Sequence, residues 1–389
     1  MALIRIPAVY MRGGTSKGVF FHTHALPADP ARRDRLLLRV IGSPDPYGKQ
    51  IDGMGAATSS TSKVVLISKS QRPDSDVDYL FGQVAIDAPL IDWSGNCGNL
   101  TAAVGPFAIR EGLVPAGNGT AVVRIWQVNI RKRIIAHVPV RDGEVDEEGA
   151  FMLDGVAFPA APIKIEFLDP GGMEGETAGG AMFPTGHVVD ALDVPNIGHL
   201  QATLINAGNP TVFVEARTLQ LKGTELQEDV NGNAEVLGRI EAIRSQAAVA
   251  MGLASSPEDA TCNRPHTPKV AYVAPPRSYT ASSGARVSGE SMDLLARIVS
   301  MGKLHHAMTG TGAVALAVAA AIPGTIVQRT IGTPHVAGET CFGHPSGLLK
   351  VGAEAAEHAG TWTVGKVIMH RSARRLMDGW VSVPESAIS

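Results

Sequence analysis

One cysteine stands in unusual company. The stretch "DWSGNCGNLTAAVG", Asp92 to Gly105, sets Cys97 among Gly95, Asn96, Gly98 and Asn99, with a small-residue run behind it. Small residues at a helix start let the backbone approach a ligand closely. The unsatisfied N–H groups there attract anions, and a thiol in that field can exchange protons near neutrality. Gly98, Asn99 and Leu100 would offer their N–H groups to a carboxylate. On the residues alone a second reading stands beside this one, with Cys97 as a small hydrophobe in a turn and the glycines serving tight packing.

The segment "MTGTGAVALAVAA" repeats the pattern, with Thr309 in the place of Cys97 and Gly310, Thr311 and Gly312 as the matching donors. Two such helix starts facing one another would suit a small molecule with two or three carboxylates. Lys63 closes the polar run "DGMGAATSSTSK" ahead of the apolar "VVLIS". A lysine there is ordinarily a solvated charge. The hydroxyls of Thr58 to Ser62, with Thr15 and Ser16 from another turn, would also suit an oxyanion. Held near Lys17 or Arg12, such a lysine can lose its proton and act as a base. "FGHPSG" offers His344 and Ser346, which either line a site or shape a turn. His305 and His306 are adjacent, so on a helix they would point apart. Neither has a histidine four residues on, so capping or core roles compete with a substrate contact. "GTGAVA" lacks the preceding strand and following acid of a dinucleotide fingerprint, and "RGGTSKG" lacks the order of a phosphate loop.

The elements that must position these residues are mostly strands. "LIRIPAVYM" and "GVFFH" flank a Gly-rich turn, and "SKVVLISKS", "VDYLFGQVAI", "AVVRIWQVNI" and "RIIAHVPV" are β-branched runs bounded by turn residues. "ARRDRLLLRVIG" and "NLTAAVGPFAIREGL" carry helical spacing, and Pro106 should kink or restart the second. "SMDLLARIVSMGKLHHAMTGTGAVALAVAAAIPG" reads as two helices about a Gly-rich break, and the Gly-rich Asp169 to Gly186 as a connector between halves. Long antiparallel strands with few helices indicate an α+β fold. The chain holds 389 residues, 44% of them apolar, which suffices for two domains. A net charge of −3 argues against a nucleic-acid or membrane surface. Three cysteines without paired spacing argue against a disulfide framework and for a reduced, cytoplasmic setting. Arg5 and Arg12 come too early for a secretory signal, and no apolar run reaches spanning length.

The motifs "RGGTSKGVFF", "IGSPDP", "QIDGMGAATSSTSKVVLIS", "WSGNCGNLTAAVGPFAI", "FPTG", "INAGNPTVFV", "GKLHHAMTGTGAVALAVAAAIPGT" and "GHPSG" resemble the PrpF family over nearly the whole chain. The resemblance implies a diaminopimelate-epimerase-like fold. Two pseudo-symmetric domains are then expected, each a mixed, mostly antiparallel sheet wrapped around a central helix. They would be 1–183 completed by 372–389, and 184–371. It implies an isomerase that uses Lys63 as base with Cys97 nearby. Thr309 stands where the epimerases carry a second cysteine, which argues against racemisation. Asn209 in "GNP" matches a substrate-binding asparagine. The implied chemistry is proton transfer beside a conjugated carboxylate through a dienolate, without metal or organic cofactor. It would be either cis–trans isomerisation of 2-methylaconitate (and aconitate) in the 2-methylcitrate cycle of propionate breakdown, or tautomerisation of 4-oxalomesaconate. A homodimer acting beside an iron–sulfur 2-methylcitrate dehydratase is expected. A non-catalytic carboxylate-binding protein is the rival from another class.

Overall fold

A computed structural model describes residues 3–172, 181–331, 338–358 and 360–387. The chain divides into two compact units, 1–165 with 370–389, and 166–369. The first division falls ahead of the Gly-rich connector, where the sequence puts it at 183/184. Residues beyond 165 bond within the second unit: the Asp169 N–H donates to the Gly365 carbonyl, and the Gly172 N–H to that of Asn206. Residues 173–180 of the connector lie outside the described residues.

In the first unit β1 (Leu3–Gly13) turns through Gly14 and Thr15 into β2 (Ser16–His22). Gly14 has a φ of 51°, and an added Cβ there would lie 2.7 Å from Asn99 Oδ1, so glycine is required on both counts. Helix α1 (Pro30–Ile41) follows, opened by an Asp29 carboxylate that accepts from the Arg32 N–H and by Pro30, and closed by left-handed Gly42. Next come β3 (Lys63–Lys69), β4 (Val77–Val84) and the short β5 (Ile91–Asp92). β1 pairs antiparallel with β2, β2 parallel with β3, and β3 antiparallel with β4. β4 pairs parallel with Gly119–Gln127, which pairs antiparallel with Lys132–Arg141. The returning strand Ala373–Pro384 lies along almost all of β1.

This mixed sheet surrounds helix α2 (Thr101–Arg110), buried from Thr101 through Ile109. A helix apolar on every face belongs inside a core. Pro106 does not restart it: one helix spans Thr101–Arg110 with the proline inside. Its lost N–H bond is tolerated where packing holds the helix from all sides.

The second unit repeats the sequence of pairings. Gly198–Ala207 pairs antiparallel with Asn209–Glu215, which runs parallel to Lys269–Ala274. Lys269–Ala274 pairs antiparallel with Leu294–Ser300, which runs parallel to Glu339–His344, itself antiparallel to Gly347–His358. The buried helix here is Gly310–Ala321. The segment "LLARIVS", expected as a helix, is the central strand Leu294–Ser300, buried at every residue. A strand covered on both faces is a continuous apolar run and shows no period of two. The fold is α+β, as the strand-rich sequence suggests. No helix among the described residues is long and apolar enough to cross a membrane.

Candidate active site

Lys63 is the first residue of β3, at the edge of the core, and only 5% exposed. Its amine donates to Gln83 Oε1 at 2.6 Å and lies 4.9 Å from the centre of the Phe81 ring. The third neighbour is the Cys97 side chain, close enough to act on the charge of the amine. Burial holds the Lys63 amine below the ordinary lysine value, and Cys97 partly offsets this by favouring the ammonium. The sequence points to neighbouring cations as the cause, and the structure corrects this. Arg12 is spent on the carbonyls of Gly14 and Ser372, and the Lys17 amine sits over the Tyr10 ring at 5.5 Å.

Cys97 lies one turn ahead of α2 and is 7% exposed. Its carbonyl accepts from the Thr101 N–H and hydroxyl and from the Tyr79 hydroxyl, which locks the turn. Its Sγ accepts the Leu100 N–H at 3.5 Å. That donor is expected from the sequence to serve a substrate carboxylate and instead faces the thiol. Asn99 stands beside it: its amide donates to Thr15 Oγ1 at 3.0 Å and accepts from Arg371 Nε at 3.2 Å. Arg371 is fully buried, and burial lowers its guanidinium to about 10. Lys63, Cys97, Asn99 and Thr15 are thus gathered in one unit, with Gly98 in the same turn. Ser16, buried, opens β2 opposite Gly13, and Lys17 N–H donates to the Ser60 carbonyl.

The hydroxyl-rich loop serves itself. Thr58 and Thr61 hydroxyls bond each other at 2.9 Å, and Ser62 Oγ donates to Gln50 Oε1 at 2.7 Å. The oxyanion role expected of Ser62 is therefore replaced by a buried link to Gln50, whose own amide donates to Ser43 Oγ. Sequence reasoning passes over Gln83, Gln50 and Arg371, since only strand register and chain return bring them here.

In the second unit Thr309 caps the helix Gly310–Ala321, its hydroxyl accepting the Gly312 N–H at 3.1 Å. That N–H is consumed by the cap, against the expectation that it greets a ligand. Gly310 and Thr311 open the helix, and Asn209, buried, opens its strand after Gly208. His305 and His306 are not on a helix and do not point apart: they lie in the loop before it with rings stacked at 4.7 Å. His344 Nδ1 accepts the Ser346 N–H at 3.2 Å, while Ser346 Oγ donates to the His306 carbonyl. These two residues shape their turn and tie it to the histidine loop. No three His, Cys, Asp or Glu side chains among the described residues gather as a metal site.

A buried lysine near a cysteine ahead of a helix could serve as proton acceptor and donor. The family model described as "PrpF protein" matches residues 3–384. A relative from Cupriavidus necator, a 2-methyl-aconitate isomerase, is 61% identical over 99% of this chain and 98% of its own. The crystal structure of a methylitaconate-delta-isomerase is 38% identical with a TM-score of 0.76, covering 100% of this chain and 98% of that one. A probable proline racemase from Agrobacterium radiobacter K84 shares the fold at 13% identity and a TM-score of 0.55, over 98% of this chain and 93% of its own. On the family match and the identity spanning almost its whole length, the chain belongs to the PrpF family.

Proposed function

We propose that the protein is an isomerase that interconverts the cis and trans forms of 2-methylaconitate. The observation that carries this reading is the buried Lys63 amine, held by Gln83 and lying near Cys97 ahead of α2. A buried amine held below the ordinary lysine value has a larger neutral fraction near neutral pH and can take a proton from carbon. The methylene of the substrate lies between a carboxylate and the conjugated double bond. Lys63 removes its proton and becomes an ammonium, and the electron pair passes into a dienolate. The former double bond acquires single-bond character and rotates. The same carbon is then reprotonated, from Lys63 or through Cys97, and nothing is gained or lost overall. The Leu100 N–H, directed at Cys97 Sγ at 3.5 Å, is a donor suited to charge on the sulfur during such a transfer. As part of this reading we propose a cytoplasmic role in the 2-methylcitrate cycle, beside an iron–sulfur dehydratase.

The test follows the methyl and methylene proton resonances of 2-methylaconitate on adding enzyme, with 4-oxalomesaconate in a parallel tube. Rapid conversion of the first geometric isomer into the second is the expected result. Turnover of 4-oxalomesaconate alone would reassign the substrate, and no turnover of either would leave a carboxylate-binding protein.

A further inference from the structure

We infer that Gln83 is the positioning residue that holds the Lys63 amine in place as an uncharged acceptor. The inference rests on Lys63 being the base. Three observations carry it.

The first is register. Lys63 and Gln83 are direct partners across β3 and β4. Directly opposed residues project from the same face of an antiparallel pair. The 2.6 Å contact between Nζ and Oε1 is thus fixed by the sheet itself.

The second is amide orientation. The Gln83 amide nitrogen donates to the Ser62 carbonyl at 3.1 Å. Turning the amide over would set its NH2 against the amine and its oxygen against that carbonyl, so the oxygen must face Lys63. Ser62 is anchored in turn by Gln50 and Ser43, and Gln83 is fully buried. The amine therefore meets a rigid acceptor that spends one of its N–H bonds and leaves the lone pair to be directed elsewhere.

The third is charge. Beyond Gln83 in the same cross-strand row stands Asp92, buried, on β5, accepting the Ser94 N–H. Gln83 thus occupies the position between an amine and a carboxylate. A carboxylate at position 83 would form a buried ion pair and keep Lys63 protonated. The amide offers the same geometry without the charge. The other titratable groups on elements around Lys63 include Cys97, Tyr79, whose hydroxyl is turned to the Cys97 carbonyl, and Lys17, turned over Tyr10; Lys69 and Asp78 stand at the far end of the β3–β4 pair, and His22, at the far end of β2, bonds Glu111.

The second unit supplies an internal comparison. Lys269 opens the strand that corresponds to β3. Val270 pairs with Val299, so the position across from Lys269 falls to Ser300. There the lysine donates instead to the His266 carbonyl. The glutamine belongs to the copy that has a cysteine, Cys97, ahead of its buried helix.

The experiment measures kcat and KM against pH for wild type, Gln83→Glu and Gln83→Met, with Lys63→Met as reference. In Gln83→Glu the pH below which kcat/KM falls should rise by at least one unit. Activity at pH 7 should drop about tenfold or more and recover in alkali. In Gln83→Met kcat should fall at least tenfold at an unchanged KM, with no upward movement of that limb. A Gln83→Glu profile superposable on wild type, or a uniform loss at every pH in both variants, overturns the inference. If Lys63→Met retains activity, the base assignment itself fails. If Lys63→Met is inactive and both Gln83 variants behave as wild type, only the role of Gln83 fails.

Discussion

Replacing Lys63 by methionine removes the proposed base while keeping the length and apolar stem of the side chain. Loss of a general base costs about 10²- to 10⁴-fold in rate. At about 1.4 kcal/mol per decade, that is roughly 2.7 to 5.4 kcal/mol of transition-state stabilisation. Stability should respond in a separate way. The Lys63 amine is held below the ordinary lysine value of 10.5 by burial. Between its folded value and 10.5 the unfolded chain binds more protons, so wild-type stability rises with pH across that window. The penalty is fully present below the folded value and gone above 10.5. Methionine has no such penalty, yet it leaves Gln83 Oε1 without its donor, a loss of about 1–3 kcal/mol. The variant should therefore fold, lack the alkaline rise in stability and isomerise at least 10²-fold more slowly. Thermal unfolding from pH 7 to 10.5, with kcat/KM on the same preparations, measures both. Near-normal turnover would remove lysine from the mechanism, and an unchanged alkaline slope would show that the slope arises elsewhere.

Cys97→Ser keeps the turn but replaces the thiol by a poorer acid; a loss of tenfold or more in kcat, with less deuterium entering the substrate methylene in heavy water, is expected, and wild-type values of both would exclude the thiol. Gly14→Ala puts a Cβ 2.7 Å from Asn99 Oδ1 at a φ of 51°, so both stability (by about 1–2 kcal/mol) and activity should fall as Asn99 leaves Thr15; unaltered unfolding would refute the crowding argument. Thr309→Cys, made in the Lys63→Met background, should weaken the helix cap by roughly 1 kcal/mol and restore no deuterium exchange into substrate. Recovered exchange would mean that the second unit holds a usable base.

What the sequence discloses of the site is what lies close together along the chain. The turn around Cys97 and the helix behind it are continuous, so glycine and small-residue content announce both. Lys63 is conspicuous because a polar loop ends there and an apolar strand begins. Gln83 lies 20 residues away and is joined to Lys63 only by register, which "FGQVAI" does not disclose. Arg371 reaches Asn99 across 272 residues, because the last strands return to the first unit. The hydroxyls from Thr58 to Ser62 look like an anion site in sequence, since nothing local reveals that Gln50 will claim Ser62. The strand Leu294–Ser300 is mistaken for a helix because full burial erases its periodicity. The strand-rich class survives such errors, since it rests on many segments at once.

The repeat bears on where the chemistry sits. Both units run through the same order of antiparallel and parallel pairings and bury one helix, so the frame alone does not distinguish them. Gly14 with φ 51° stands against the Asn99 side chain in one, and Gly208 with φ 69° against Val314 and the Thr311 carbonyl in the other, so a left-handed glycine lies beside the start of the buried helix in both. At the aligned positions the side chains diverge. One unit sets a lysine amine against a thiol and a glutamine amide, all buried. The other directs its lysine to a backbone carbonyl and spends its threonine on a helix cap. A cap and a carbonyl bond engage these groups in holding the backbone, whereas an amine and a thiol set near one another suit proton transfer. On the proposed reading, this divergence in functional groups favours the first unit for proton transfer, an argument separate from any likeness to other proteins.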